Sequence, residues 1–414
     1  MHQIIPVQQV TLGMYITELD RPWLGTNFPI QGFYVREPDQ IRELTEACNF
    51  VAVDPRRYDK TVFNSLKFSG KHRRALAQRK KLRKAEAIRP QQPKQYDDSR
   101  SRQEEFPQAE QALTTAVDKF VPMLEQLGSN HNVELNEVQQ FVNPLVESVL
   151  RNKDALVTLL RVKDFDQDIY YHCLTNAVWA SLMGRQLGFA PAQIKRLALG
   201  CSLMDVGRIK LPRELLLRNG ALSEDEWPII HSHVEHSLDL IDVDNAHEDV
   251  MGVVRWHHER WDGSGYPDQL EGGEIPIFAR IAGVVDSYNA MTRHRPFARA
   301  YSSFEAITRL QKSCPQLYQQ ELVEQFTQAV GIFPNGALVE LNTGEVGVVI
   351  KQNETRRLRP ELVLVLDAQK QPYNELETTR LEDVWSDDDN ADKVWISKEL
   401  AAGSYGVDAR DYFL

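Results

Sequence analysis

The chain has 414 residues, 42% of them hydrophobic, and a formal net charge of −11; that is too long for one ordinary core and enough for one sizeable domain plus smaller ones. The acidic balance excludes a general nucleic-acid binder, which carries a basic face, so an anionic ligand needs a local basic pocket. Four scattered cysteines (Cys48, Cys173, Cys201, Cys314) without a CxxC pair exclude a disulfide framework and a zinc–thiolate cluster, and the lack of a leader or an eighteen-residue apolar run predicts a soluble, cytoplasmic protein with no membrane span.

Residues 1–66 mix short β-branched and aromatic runs ("QQVTLGMYI", "GFYVRE", "FVAVD") with turn residues and one helical stretch, "PDQIRELTEAC", which reads as a small α+β module. Residues 67–107 are basic ("KHRRALAQRKKLRK"), then rich in Pro and Gln; such a stretch buries too little apolar surface to pack and predicts a solvated helix running into a linker. From 108 to 333 the apolar spacing is helical, as in "HCLTNAVWASLMGRQLG" and "IFARIAGVVDSYNAMT", so the fold class is mainly α, a multi-helix bundle. Ser223 and Glu226 in "LSEDEW" have capping-box spacing. Residues 334–385 change to a two-residue period around an Asn-Thr-Gly turn, predicting a short β appendage. An acidic tail, 386–414, follows.

Eight of the eleven histidines fall between 172 and 294, inside the helical part. The stretch 257–267, "HHERWDGSGYP", is the densest: His257 and His258 point about 100° apart if helical, so they face one site only where the helix ends and the chain turns. Gly263 and Gly265 permit that turn, and Pro267 fixes its exit.

With "DIYYH", "MDVGRIKLP", "HSHVEHS", "HHERWDGSGYP", "IPIFARIAGVVDSYNAMT" and "RPF" in this order, the chain resembles, over roughly 120–330, the HD-GYP family of cyclic di-GMP phosphodiesterases within the HD metal-dependent phosphohydrolases. The first sixty-odd residues look like the domain of unknown function DUF3391. The resemblance implies a pair of divalent ions, Mn or Fe, with His172, Asp205 and Asp286 on one, and Asp205, His233, His257 and His258 on the other; Asp168, a helical turn before His172, is placed to touch a third. Two such ions supply the nucleophile and charge cancellation that phosphodiester hydrolysis needs. By resemblance Arg208, Arg280 and Arg295 meet the ligand's phosphates, and Gly265, Tyr266 and Pro267 either shape a guanine pocket or form a docking face for a diguanylate cyclase or another signalling protein.

Departures accompany the matches. Met204 stands where the family's HD histidine ligates, Arg208 replaces the lysine of HD-x-GK, Asn289 replaces the second aspartate of D-x-x-DA, and Ala298 replaces a further lysine. Thioether is a poor ligand for these ions and packs well in cores. The expected activity is hydrolysis of cyclic di-GMP to linear pGpG and on to GMP; the alternative is a receptor that binds the ligand without cutting it. The stretch from about 108 to 163 is long enough to relay motion or to form a homodimer.

Overall fold

Alternating apolar positions at the N-terminus become strands in the computed structural model. It describes residues 3–7, 10–19, 33–48, 50–58, 94–127, 132–162, 169–216, 218, 223–241, 246–293, 300–353, 358–381, 394–401 and 403–412. The chain divides into two units, 1–95 and 96–414. In the first, β1 (Gln3–Pro6), β2 (Met14–Leu19), β3 (Phe33–Tyr34) and β4 (Phe50–Tyr58) form an antiparallel sheet in the order β1-β4-β2-β3. Helix α1 (Pro38–Ala47) begins where Pro38 presets its first turn and Gln40 Oε1 accepts from the amides of Arg36 and Glu37. Its Leu44 joins Ile5, Ile16, Val35 and Val51 in this unit's own core.

The second unit starts earlier than the 67–107 linker allows. Tyr96 already donates to the Phe189 carbonyl at 2.7 Å, and α2 runs from Arg102 to Leu127. Composition hid a cap: Glu104 Oε2 accepts from the Ser101 amide at 2.8 Å, and Ser101 Oγ accepts from the Glu104 amide at 3.3 Å. The helix continues through Pro107 and Pro122 because packing outweighs their cost. Its buried Glu105 takes a two-pronged bond from Arg151 (2.7 and 2.8 Å), and Leu113, Phe120 and Leu127 repeat along one buried stripe.

Helices α3 (Leu135–Arg151), α4 (Ala155–Val162), α5 (Ile169–Gln186), α6 (Pro191–Leu203), α7 (Arg213–Leu216), α8 (Trp227–His231), α9 (His233–Leu240), α10 (Glu248–Trp256), α11 (Ile277–Thr292), α12 (Ser303–Lys312) and α13 (Gln320–Val330) complete the bundle. One continuous core joins its main helices. Trp179, Tyr288 and Phe326 meet edge to face within it, with centroids 5.0–6.5 Å apart.

A five-stranded antiparallel sheet follows: β5 (Leu338–Leu341), β6 (Val346–Lys351), β7 (Glu361–Leu366), β8 (Pro372–Arg380) and β9 (Ile396–Leu400), ordered β8-β7-β6-β5-β9. The expected tail is therefore partly structural. β9 pairs with β5, Val339 opposite Glu399, and Glu399 accepts from Arg161 (3.1 Å) and from the Phe304 amide (3.1 Å); the acidity of the preceding stretch masked the alternation of "WISKEL". The basic stretch 71–84 lies outside the described residues.

Candidate metal centre

Close backbone contacts bring the donors together. On α5, His172, Asn176, Trp179 and Met183 are buried on one helical face. The chain leaves α6 through Met204 and tightens into a 3₁₀ turn, Val206–Lys210, with Asp205 at the junction. That turn lies against the start of α9: a Cβ on Gly207 would stand 2.2 Å from the His233 carbonyl oxygen and 2.4 Å from the Ser237 nitrogen. Ser237 Oγ accepts from the Gly207 amide (2.8 Å) and donates to the Met204 carbonyl (2.9 Å). Asp205 and His233 are thereby set side by side.

The Asp205 carboxylate stands between two walls. Its Oδ2 is 3.5 Å from His172 Nε2 and its Oδ1 is 3.5 Å from His233 Nε2. His172 Nε2 is also 2.9 Å from Asp286 Oδ1 on α11. One donor atom each from Asp205, His233, His257 and His258 falls within 4.8 Å of the others, and so does one each from His172, Asp205 and Asp286. The six residues taken from the sequence thus meet as two sets sharing Asp205. Asp168 and Arg295 lie outside the described residues.

Protons can be placed from the backbone. His233 Nδ1 is 2.6 Å from the Ile230 carbonyl and His257 Nδ1 is 3.0 Å from that of Val254. Carbonyls only accept, so both rings carry N–H at Nδ1 and bare Nε2 lone pairs, which face each other at 3.5 Å. Burial lowers His233 to a pKa of about 4, lowers His257, and, with the neighbouring imidazoles, takes His258 well below its ordinary value. Burial also opposes ionisation of Asp205, but the Arg208 charge and the histidines outweigh it and hold the carboxyl well below its usual range. Asp205 Oδ2 and His258 Nε2 are buried without a hydrogen-bond partner. Converging lone pairs, a charged carboxylate and two orphaned acceptors fit a divalent cation, and imidazole with carboxylate suits borderline ions.

The loop after the histidine doublet is wedged beneath it. A Cβ on Gly265 would lie 2.4–2.5 Å from the backbone of His258, Glu259 and Arg260, so no larger residue fits there. Tyr266 stacks on His231 (centroids 3.7 Å, 16°) and on His258 (4.7 Å, 22°); two imidazoles at those distances cannot share one face, so both faces of the ring are covered. Glu259, buried, accepts from the amides of Asp268 (2.7 Å) and Leu270 (3.0 Å), which ties the loop's exit to the doublet.

Comparison with known proteins agrees with this geometry. A model described as HD domain matches residues 144–322, one described as domain of unknown function (DUF3391) matches 2–138, and one described as KOW domain associated with HD domain matches 338–383. The chain thus carries an HD domain with a DUF3391 match before it and a KOW match after it, and the relatives it resembles are named cyclic di-GMP phosphodiesterases. A cyclic di-GMP phosphodiesterase of Pseudomonas aeruginosa is 26% identical over 366 residues, 88% of this chain and 85% of that protein. One from Thermotoga maritima is 32% identical over 39% of this chain and 45% of its own length. The cyclic di-GMP phosphodiesterase response regulator RpfG of Xanthomonas campestris is 33% identical over 51% of this chain and 57% of its own length. The chain spans about half of the latter two.

The departures from the HD-GYP pattern now have places. Met204 is fully buried in the main core, its carbonyl held by Ser237, so packing accounts for the residue. Arg208 Nε is 2.5 Å from Asp205 Oδ1, its side chain 28% exposed. Arg280 donates to Gln319 (2.7 Å) and lies over the Trp261 ring; these contacts brace the loops beside the centre. Sequence reasoning missed Glu259, His231, Asn176 and Ser237. The signal for Asn176 was an i, i+4 spacing on the His172 face, and that for Glu259 its place inside the histidine stretch; His231 and Ser237 carried none.

Among the described residues no helix is long and apolar enough to cross a membrane. The loop's exposed residues, Asp262, Ser264, Asp268 and Gln269, are polar.

Proposed function

We propose that this chain is an HD-GYP divalent-metal phosphodiesterase that opens cyclic di-GMP to pGpG and continues to GMP in the cytoplasm. The observation that carries it is the pair of bare, facing Nε2 atoms of His233 and His257 beside a carboxylate that spans two donor sets. Asp205, His233, His257 and His258 would hold one ion and His172, Asp205 and Asp286 the other, with Mn or Fe favoured. Ions there supply Lewis acidity and a nucleophile usable at neutral pH.

The protein's own groups do the rest. Burial lowers the pKa of all three histidines, so these donors are neutral at pH 7. Arg208, anchored through Nε, turns its remaining N–H groups to non-bridging phosphate oxygens; burial opposes its charge, but Asp205 and Asp286 hold its pKa above the ordinary value. Tyr266 has no free face for a base and acts on His258 instead. The loop's polar rim, led by Ser264 and Asp268, is the part a diguanylate cyclase meets.

Purified protein loaded with Mn²⁺ or Fe²⁺ should turn over cyclic di-GMP, with pGpG appearing before GMP. Arg208→Ala should raise KM by about 10–100-fold, the worth of a charge-assisted hydrogen bond of about 1.5–3 kcal/mol. Binding without product, with both ions present, overturns hydrolysis and leaves the receptor.

A further inference from the structure

Asp286 reaches the centre from α11, and the far side of that helix is held by the C-terminal sheet. Successive helical residues turn by about 100°, so Tyr288 points roughly 200° away from Asp286. Its ring is fully buried against Trp179 and Phe326, and its hydroxyl lies 2.9 Å from Ser303 Oγ at the start of α12. Ser303 Oγ accepts from Arg161 Nη1 at 2.6 Å, and Arg161 Nη2 donates to Glu399 Oε1 at 3.1 Å. The second oxygen of Glu399 accepts from the Phe304 amide at 3.1 Å, one of the amides that a helix start leaves without a partner. One carboxylate on β9 thereby closes a series of side chains that runs through α4 and α12 to the back of α11. Its side chain is 4% exposed and that of Arg161 19%, so salt screens the pair little. The sheet is seated on the bundle at further points: Arg102 of α2 donates to the Ile350 carbonyl (2.6 Å), Gln352 Nε2 donates to the Val330 carbonyl at the end of α13 (2.8 Å), and the rings of Phe304 and Phe333 stack with centroids 5.7 Å apart. Glu399 therefore meets Arg161 from a fixed place.

We propose that Glu399 is a positioning residue for the metal centre: from the C-terminal sheet it holds α11 in the rotation at which Asp286 completes the set His172–Asp205–Asp286. The inference rests on the metal reading above. Removing the carboxylate's charge leaves the Arg161 guanidinium without its counter-ion in a half-buried site, and Ser303, the guanidinium's other partner, moves with it and takes the Tyr288 hydroxyl along. Asp286 sits on the same rigid helix and shifts in turn. The other set draws no donor from α11. Its ligands stand before the 3₁₀ turn, at the start of α9 and at the end of α10, so it keeps its geometry. The sheet is then a working part of one donor set and not of the other.

The test uses the full chain and Mn²⁺ alone, with chelator competition as the readout and the ion lost in His172→Ala marking the Asp286 set. Glu399→Gln should bind that ion about 3–10-fold more weakly and the other ion as before; the effect is smaller than the roughly 10–100-fold of a ligand's direct partner because it passes through several side chains. Tyr288→Phe removes only the hydroxyl and should weaken the same ion alone, which decides the matter even where Glu399→Gln fails to fold. Val348→Ala opens a gap in an apolar cluster of the sheet that the series does not touch; it should lower the unfolding temperature and leave both ions bound as in the wild type, which separates placement from stability. Both ions weakened alike in Tyr288→Phe, unchanged affinities in the folded variants, or the same selective loss in Val348→Ala would each overturn the inference while leaving the metal reading intact. No ion at either set of the wild type would remove both.

Discussion

The walls on either side of Asp205 are built from different materials. On one side, His233 and His257 are each fixed by the main-chain carbonyl three residues before them, and His258 rests on Tyr266, whose loop is pressed against the backbone at Gly265. On the other, His172 and Asp286 are fixed by side-chain amides, Asn176 and Asn289. Main-chain acceptors cannot rotate, whereas amides can present either end. A donor wall anchored by backbone is committed to neutral, ligating imidazoles; one anchored by amides remains sensitive to substitution.

Removing a ligand from each wall should separate them most. His257→Ala should abolish tight metal binding, losing more than the roughly 10–100-fold that an outer hydrogen-bond partner is worth, and turnover with it; His172→Ala should leave one tight ion per chain by metal analysis. Equal losses from the two variants would erase the distinction.

The walls should also titrate in opposite directions once metal is stripped with a chelator. Burial depresses His233, His257 and His258, so the unfolded chain takes protons that the folded one refuses. Stability from this wall is full above about pH 6.5, the unfolded histidine value, and falls as pH drops towards about 4, the His233 value. Burial pulls His172 down too, but the carboxylates of Asp205 and Asp286 beside it outweigh that and raise it. Its contribution is full below the unfolded value and is lost as pH rises through the folded one. Urea unfolding from pH 7.5 to 4.5 should show falling stability in the wild type, a shallower fall in His233→Gln and a steeper one in His172→Gln.

Two smaller effects sharpen the picture. Gly265→Ala drives a Cβ into the backbone behind His258 and should destabilise by about 1–3 kcal/mol, with weaker metal binding at the backbone-anchored wall alone. Met204→Leu conserves volume and should cost less than about 1.5 kcal/mol without changing metal content; lost metal would make the thioether a ligand after all.

Much of this was legible in the sequence because the donors are chemically conspicuous. Histidine pairs, their carboxylate partners and the glycines beside them are rare enough in one order to imply a shared centre, and helical periodicity gave the bundle. The strands of the first unit and the hairpin at residues 338–351 followed from alternation and a turn. What escaped was polar support without a distinctive letter. Asn176 reads as an ordinary helix residue until its distance to His172 is known, Asn289 shows only as a departure from D-x-x-DA, and Glu259 shows its task only when the chain folds back to offer it two amides. The start of α2 was missed for a related reason: a two-residue cap and a buried Glu105–Arg151 pair override the prolines that composition took for a linker.

Ring on ring, Trp227, His231, Tyr266 and His258 form a column from the surface to the centre, with neighbouring centroids 3.7–5.6 Å apart. Aromatic plates that close do not slide freely past one another. A body settling on the half-exposed indole leans, through two intervening plates, on an imidazole at the far end, and the outermost turn of the fold shares its posture with the innermost.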